Sequence, residues 1–295
     1  MKIARVVDAH VHLWDLNHIR YPWLTPPFSN DGPNGSVETI ATPYLLENYF
    51  TDAQDIPVQK IVHIEAGAHP DDALKETQWL QAMANATRFP QAIVAHAALN
   101  TQNVEAVLEA HSQHKNLRGI RHIINWHPNP NLTYTPKNLL EDPAFQRGYL
   151  LLNKFGLSFD LQIYPNQMRQ AYELGKANPN VPVIINHMGM PVDRNKEEWQ
   201  QGMALLSSLP HVSVKISGFG FTDRHWHHAD MSDLILQIID RFGTDRVMFA
   251  SDFPTDKLFN SFGQAFNTYA QVALAFSDAE KDALFAANAE RIYRI

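Results

Sequence analysis

Cysteine is missing from this 295-residue chain. That absence excludes disulfides, thiolate metal ligands and cysteine nucleophiles, and it leaves the compartment unconstrained, with the cytoplasm as the default expectation. No apolar run approaches the length of a membrane span. Blocks of like charge are absent too, and a net charge of −7 spread along the chain argues against nucleic acid or an anionic membrane as the main partner. The opening residues Met1-Lys2-Ile3-Ala4-Arg5 lack the apolar core and cleavage site of a signal peptide. No Pro/Gly/Ser-rich linker interrupts the sequence, so residues 1–295 read as one domain, although chains of this length often divide.

What the sequence does contain is alternation. Short β-branched runs read as strands at Val6–His12, Lys60–Ala66, Ala92–Ala97, Leu117–Ile124, Leu157–Ile163, Val183–His187, Val212–Ile216 and Val247–Ala250. Helical patterns fall between them, as at Asp71–Thr87, Val104–His114, Pro165–Asn178 and Ala229–Phe242, and Ser277–Arg294 ends the series behind a Ser277 N-cap. Thr42-Pro43 and Tyr164-Pro165 read as helix starts, with proline in the first turn. Strands alternating with helices imply a parallel sheet, and eight of them predict an α/β fold of the closed (β/α)8 type. Asn17–Ala41 breaks the pattern with Pro22, Pro26, Pro27 and Pro33. It reads as a long loop over the C-terminal face of the barrel, where active sites assemble.

Side chains alternate faces along a strand, so residue parity tests what lies inside. Leu157, Phe159, Leu161 and Ile163 oppose Ser158, Asp160 and Gln162, while Val212, Val214 and Ile216 oppose Ser213, Lys215 and Ser217. Val7, Ala9, Val11 and Leu13 likewise oppose Asp8, His10 and His12. The apolar sets pack under the helices, which leaves the polar sets for the barrel interior. Buried parallel strands normally read as continuous apolar runs, so three polar inner faces predict a functional mouth. His63 and Glu65 share a parity on the second strand, His187 ends the sixth, and Asp252 follows the eighth.

Two histidines at i and i+2 on a strand can chelate one divalent ion, with His187 and Asp252 as further ligands and a position left open for water. Asp252 could be a ligand, the general base on that water, or both in turn. Arg121 offers either a planar fork for a carbonyl or anion, or an ion pair; the parity of His122 beside it is ambiguous. Trp14, Tyr21 and Trp23 either wall a substrate pocket or anchor the long loop. His225-Trp226-His227-His228 reads as a solvated loop or a pocket rim before a metal motif.

The run Val7-Asp8-Ala9-His10-Val11-His12-Leu13-Trp14-Asp15, followed by Tyr21-Pro22-Trp23-Leu24, resembles the opening of the amidohydrolase-2 family. Within it, the likeness is to the lactonase branch, whose substrates are L-fucono- and L-rhamnono-lactones and 2-pyrone-4,6-dicarboxylate. It continues through Gly119-Ile120-Arg121-His122, Phe159-Asp160-Leu161, Asn186-His187-Met188-Gly189-Met190-Pro191, Lys215-Ile216-Ser217-Gly218, Ser251-Asp252-Phe253-Pro254 and Asn288-Ala289-Glu290-Arg291-Ile292-Tyr293. The resemblance implies a distorted (β/α)8 barrel that hydrolyses a lactone. His10, His12 and His187 would surround the carbonyl or a metal, and Asp252 would deprotonate water. Many superfamily members bridge two metals through a carboxylated lysine at the end of strand four; the matching segment Leu117–His122 has no lysine. The cofactor expected is therefore one divalent ion, zinc or manganese, or none.

These readings converge on a sugar-lactone hydrolase of carbohydrate catabolism. Glu65, Arg121, Asp160, Gln162 and Lys215 are the candidates to bind ring hydroxyls or carbonyl, and Trp14 and Trp23 the candidate walls. The expected partner is a small-molecule lactone, with a homodimer left open. Two alternatives stand beside this. One is a metal-dependent decarboxylase of the same family, marked by CO2 release; the other is a retired barrel that binds a sugar acid without turnover.

Overall fold

The computed structural model describes residues 2–31, 34–192 and 196–295. Met1 of the opening segment and Pro33 of the proline-rich loop lie outside them. The eight expected strands are all present: β1 (Val6–Val11), β2 (Val58–Ile64), β3 (Ala92–His96), β4 (Leu117–Arg121), β5 (Ser158–Leu161), β6 (Val183–Ile185), β7 (Val212–Ile216) and β8 (Val247–Phe249). They pair in parallel in sequence order. The ring closes where Val11 bridges Phe253 and the His12 N–H donates to the Phe253 carbonyl at 2.8 Å. Most strands end short of their expected limits, so His12, His187, Gln162 and Ala250 sit just past the sheet, where the backbone is free to turn toward the mouth.

Between the strands lie α1 (Leu46–Asp52), α2 (Ala73–Thr87), α3 (Val104–Ser112), α4 (Pro143–Lys154), α5 (Met168–Ala177), α6 (Lys196–Ser207), the single turn α7 (Phe219–Thr222) and α8 (His228–Phe242). After β8 come α9 (Phe262–Val272), α10 (Asp278–Asp282) and α11 (Asn288–Tyr293), the last two joined by a π-helical turn. Local signals explain several of these limits. Ser277 and Glu280 form a reciprocal capping box at the start of α10, which satisfies two N–H groups the helix itself leaves unpaired. Tyr164-Pro165 does open a helical turn leading into α5. Thr42-Pro43 does not open α1, which begins at Leu46, because Tyr44 is held in an antiparallel bridge with Trp14. His225-Trp226-His227-His228 gives an exposed His225, a buried Trp226, and His227 as N-cap of α8. None of the described helices is long and apolar enough to cross a membrane.

Parity holds on β5 and β7: Phe159, Leu161, Val214 and Ile216 pack outward into the main core, and Asp160 and Lys215 face each other inside, 2.6 Å apart. It fails on β1. Val7 and Ala9 lie with Val62, Val94, Ile184 and Met248 in the interior cluster, while the Asp8 carboxylate accepts from the Tyr49 hydroxyl of α1 at 2.8 Å. The register of β1 against β2 slips between Asp8 and Val11, and an extra residue of this kind re-aims the side chains beyond it. His10 and His12 therefore reach the mouth from a strand whose earlier alternation runs opposite to the expectation.

The N-terminal end of the barrel is stoppered by the chain's last helix. Tyr293 joins the interior cluster, its hydroxyl donating to Asp160 at 2.9 Å and its ring lying 5.2 Å from Lys215 Nζ. Asn288 fastens α11 to the approach to β8 through the carbonyls of Thr244 and Val247. At the opposite end, Tyr269 of α9 stacks on Phe249 at 4.5 Å and donates to the carbonyls of Ile216 and Ala250, which fixes the ends of β7 and β8 together.

Candidate active site

The β1 slip and the ring closure set the geometry of the mouth. His10 Nε2 and His12 Nε2 stand 3.2 Å apart. Asp252 Oδ1 lies 3.4 Å from the first and 3.3 Å from the second. All three side chains are buried. The Nδ1 of His12 donates to the Ile64 carbonyl at 2.8 Å, so in the neutral ring the Nε2 lone pair is free to face the centre, the arrangement that orients metal-ligating histidines. Asp252 is held in the left-handed region at φ 58°, and its N–H donates to the His10 carbonyl at 2.9 Å. A non-glycine residue in that conformation is uncommon, and here it turns the carboxylate back over β1.

His187 arrives from a strained turn. His187, Met188 and Met190 all have positive φ, and Gly189 between them does as well. Strain of this kind costs on the order of 1–3 kcal/mol per residue and persists only where surrounding contacts over-determine it. Here Trp199 of α6 donates to the Met188 carbonyl at 2.8 Å. The ring of His187 lies 4.6 Å from that of His10, with Nδ1 3.1 Å from Ser217 Oγ and 3.9 Å from Asp252 Oδ2. Gly218 makes this fit possible: at φ 66°, a Cβ there would come within 2.5 Å of His187 Nδ1.

Burial governs the charges. It pushes His10 and His187 well below the usual imidazole range, reinforced by Lys215 at His10 and by Arg121 at His187. It takes His12 down to about 3, with Arg121 reinforcing it. Burial also pushes Asp252 well above the usual carboxyl range, with the charge of Asp8 adding to it and Arg121 opposing it. Neutral imidazoles facing a carboxyl that resists ionisation form a donor set that gains from a cation between them. Asp252 Oδ2 and His10 Nδ1 have no hydrogen-bond partner, and buried polar atoms are rarely left so. The ligand atoms of His10, His12 and Asp252 lie within 4.8 Å of one another, so these residues fit a single divalent ion. Among the described residues this is the one such group.

A cavity of about 240 Å³ opens above this centre, lined by His12, Trp23, Asn34, Ala66, Gly67, Arg121, Ile123, Tyr134, Gln162, His187, Phe221, Asp252 and Thr255. Arg121 donates through Nε to Glu65 Oε1 at 2.6 Å, through one terminal nitrogen to the Glu65 carbonyl at 2.7 Å, and through the other to Gln162 Oε1 at 3.1 Å. The long loop reaches the cavity through Trp23 and Asn34, and Asn34 accepts from the Tyr134 hydroxyl at 3.0 Å.

Several expected site residues fall elsewhere. Trp14 is buried off the cavity, donates to the Thr42 carbonyl, and braces Trp23 edge-on at 5.6 Å. Tyr21 donates to buried Glu76 at 3.0 Å and anchors the loop. Asp160 and Lys215 are spent on each other and on Tyr293, and neither lines the cavity. His63 accepts from the Leu13 N–H, and His122 from the Leu99 N–H. Ile123, Tyr134, Phe221, Asn34 and Thr255 line the cavity without having been singled out. Ile123, Tyr134 and Asn34 sit in loops, Phe221 in α7 and Thr255 in a short helical turn, all following a strand end, and only that position could have marked them.

A family model described as "Amidohydrolase" matches residues 7–295. The chain is 37% identical to the uncharacterized protein y4mH of Sinorhizobium fredii, with both chains covered in full. It is 24% identical to an L-fucono-1,5-lactonase of Burkholderia ambifaria, over 87% of this chain and 83% of that one. In fold it is similar to an amidohydrolase from Burkholderia multivorans crystallised with bound zinc, at a TM-score of 0.82 and 22% identity, covering 99% of this chain and 100% of that one.

Proposed function

The chain belongs to the amidohydrolase family, and from that premise we propose that it is a hydrolase opening the ring of a neutral, polyhydroxylated lactone, in carbohydrate catabolism. The observation that carries the reading is Asp252, a buried carboxyl set 3.3–3.4 Å from two neutral imidazoles at the floor of the cavity. A water at that floor lies against a base and beside the space a carbonyl would fill. An ion held by His10, His12 and Asp252 would polarise the carbonyl and acidify the water.

In the reaction, the water oxygen bonds to the lactone carbonyl carbon while Asp252 takes its proton. His187, oriented by Ser217, and the N–H groups of Arg121 donate to the carbonyl oxygen as charge collects there. The ring C–O bond then breaks, and the proton held at Asp252 passes to the departing alkoxide. The product is a hydroxy acid, which ionises at neutral pH. Arg121 is the one lysine or arginine among the described lining residues. A dicarboxylate substrate would need several such forks, whereas Gln162, Tyr134 and Trp23 suit hydroxyls and a ring face. The L-fucono-1,5-lactonase relative agrees with this choice.

The test is a panel of aldono-lactones and 2-pyrone-4,6-dicarboxylate followed by proton release, with and without chelator, beside aromatic acids followed by CO2 release. Aldono-lactones should be hydrolysed fastest. A dicarboxylate outrunning all of them, or CO2 release without lactone opening, would overturn the assignment.

A further inference from the structure

Glu65 has no part in activating water, yet it is buried directly behind the cavity wall, beside the lining residues Ala66, Gly67 and Arg121, with every oxygen engaged. Oε1 accepts from Arg121 Nε at 2.6 Å, Oε2 from the Gly67 N–H at 2.8 Å, and its carbonyl from a second guanidinium nitrogen. Burial alone would push its carboxyl up, but Arg121, His96 and the Gly67 N–H together hold it below the usual range. The other buried cation beneath the site, Lys215, is matched by Asp160. The cavity therefore presents Arg121 as a planar set of donors whose charge is already cancelled.

Ring opening turns a neutral substrate into a carboxylate, so the charge of this wall acts differently on the two ends of the reaction. An uncompensated guanidinium in a desolvated pocket grips a carboxylate through paired, charge-assisted bonds. With Glu65 paired behind it, the guanidinium offers an incoming carboxylate little net attraction, and the buried Glu65 charge repels that carboxylate through it. We propose that Glu65 is the specificity-determining residue for substrate charge: by cancelling Arg121 it admits neutral lactones, rejects lactones carrying a carboxylate, and keeps the hydroxy-acid product from lingering. The substrate part of this inference rests on the function proposed above.

The probes are D-glucono-1,4-lactone and D-glucaro-1,4-lactone, which differ only in a terminal hydroxymethyl against a carboxylate, and D-gluconate as product. In Glu65→Gln, matched to wild type in metal content, the ratio of kcat/KM for the neutral over the acidic lactone should fall about tenfold or more. Inhibition by D-gluconate should tighten by a similar factor. An unchanged ratio with unchanged inhibition would overturn the proposal. If Glu65→Gln does not fold, Arg121→Gln leaves the Glu65 charge uncompensated and should move the ratio the other way; a ratio that falls or stays put counts against the idea. If wild type opens neither lactone, the proposed reaction fails on its own. Calorimetric titration of both proteins with D-gluconate then still decides the role of Glu65: tighter binding to Glu65→Gln supports it and equal affinity refutes it.

Discussion

Replacing Asp252 by asparagine exchanges one carboxylate oxygen for an amide nitrogen, and the surroundings of Asp252 give the change opposite effects on rate and on stability. The left-handed backbone at φ 58° suits asparagine as well as aspartate. The backbone bonds from Asp252 to His10 and from Asp256 to Asp252 are untouched. What disappears is a buried carboxyl that burial and the charge of Asp8 both make hard to ionise. The metal-stripped variant should therefore unfold at the same temperature as stripped wild type, or higher. Activity should collapse, since loss of a general base typically costs 10²–10⁴ in rate, or about 2.7–5.5 kcal/mol of barrier. The assay is kcat on an aldono-lactone with metal content measured for each sample, paired with thermal unfolding after chelation. A variant that keeps near-normal kcat at matched metal content would refute the role given to Asp252. So would one whose unfolding temperature falls in step with its activity, which would mark a structural residue.

Metal analysis after purification with added zinc or manganese should give at most one tightly bound ion per chain, because His10, His12 and Asp252 are the one suitable group among the described residues; two ions with activity tracking the second would contradict this. Trp14→Ala should cost roughly 3–5 kcal/mol in denaturant unfolding, because that ring is fully buried beneath the loop. Trp23→Ala, at the cavity wall, should instead raise KM more than it lowers stability, and the reverse pattern would show that the two roles are misassigned. Glu76 is pushed up to about 8 by burial and by the charge of Glu65. Its folded value lies above the ordinary 4.5, so its contribution is fully present below about 4.5 and is lost as pH rises through about 8. Glu76→Gln keeps the acceptor for Tyr21 and should flatten the loss of stability between about pH 5 and pH 9; parallel urea-unfolding profiles for the two proteins would show Glu76 ionised in both states.

The alternation of strands and helices was legible because each strand carries its own apolar face, and β5 and β7 obey simple parity because no register slip interrupts them. His10, His12, His187 and Asp252 could be named because each lies near the C-terminal end of a strand, the one place where a barrel gathers residues remote in sequence. On β1 the slip past Asp8 has no marker in composition, so Val7 and Ala9 were set on the wrong face. Asp160 and Lys215 were correctly placed inside, yet alternation cannot say whether an inward polar residue meets a substrate or another residue. Here Tyr293, contributed by the last helix, engages that pair. Trp14 and Trp23 both belong to the aromatic cluster beside the loop, and only three-dimensional packing separates the brace from the wall.

That tyrosine also bears on how the molecule comes into being. Asp160 and Tyr293 are separated by 133 positions, so a chain emerging from the ribosome completes every strand before the last partner of its central ion pair arrives. Until then the barrel holds a carboxylate and an ammonium in its middle with the floor open. Long-range closures of this kind are slow to form. Seen in time, α11 brings Tyr293 onto the Asp160–Lys215 pair only after all eight strands have been made.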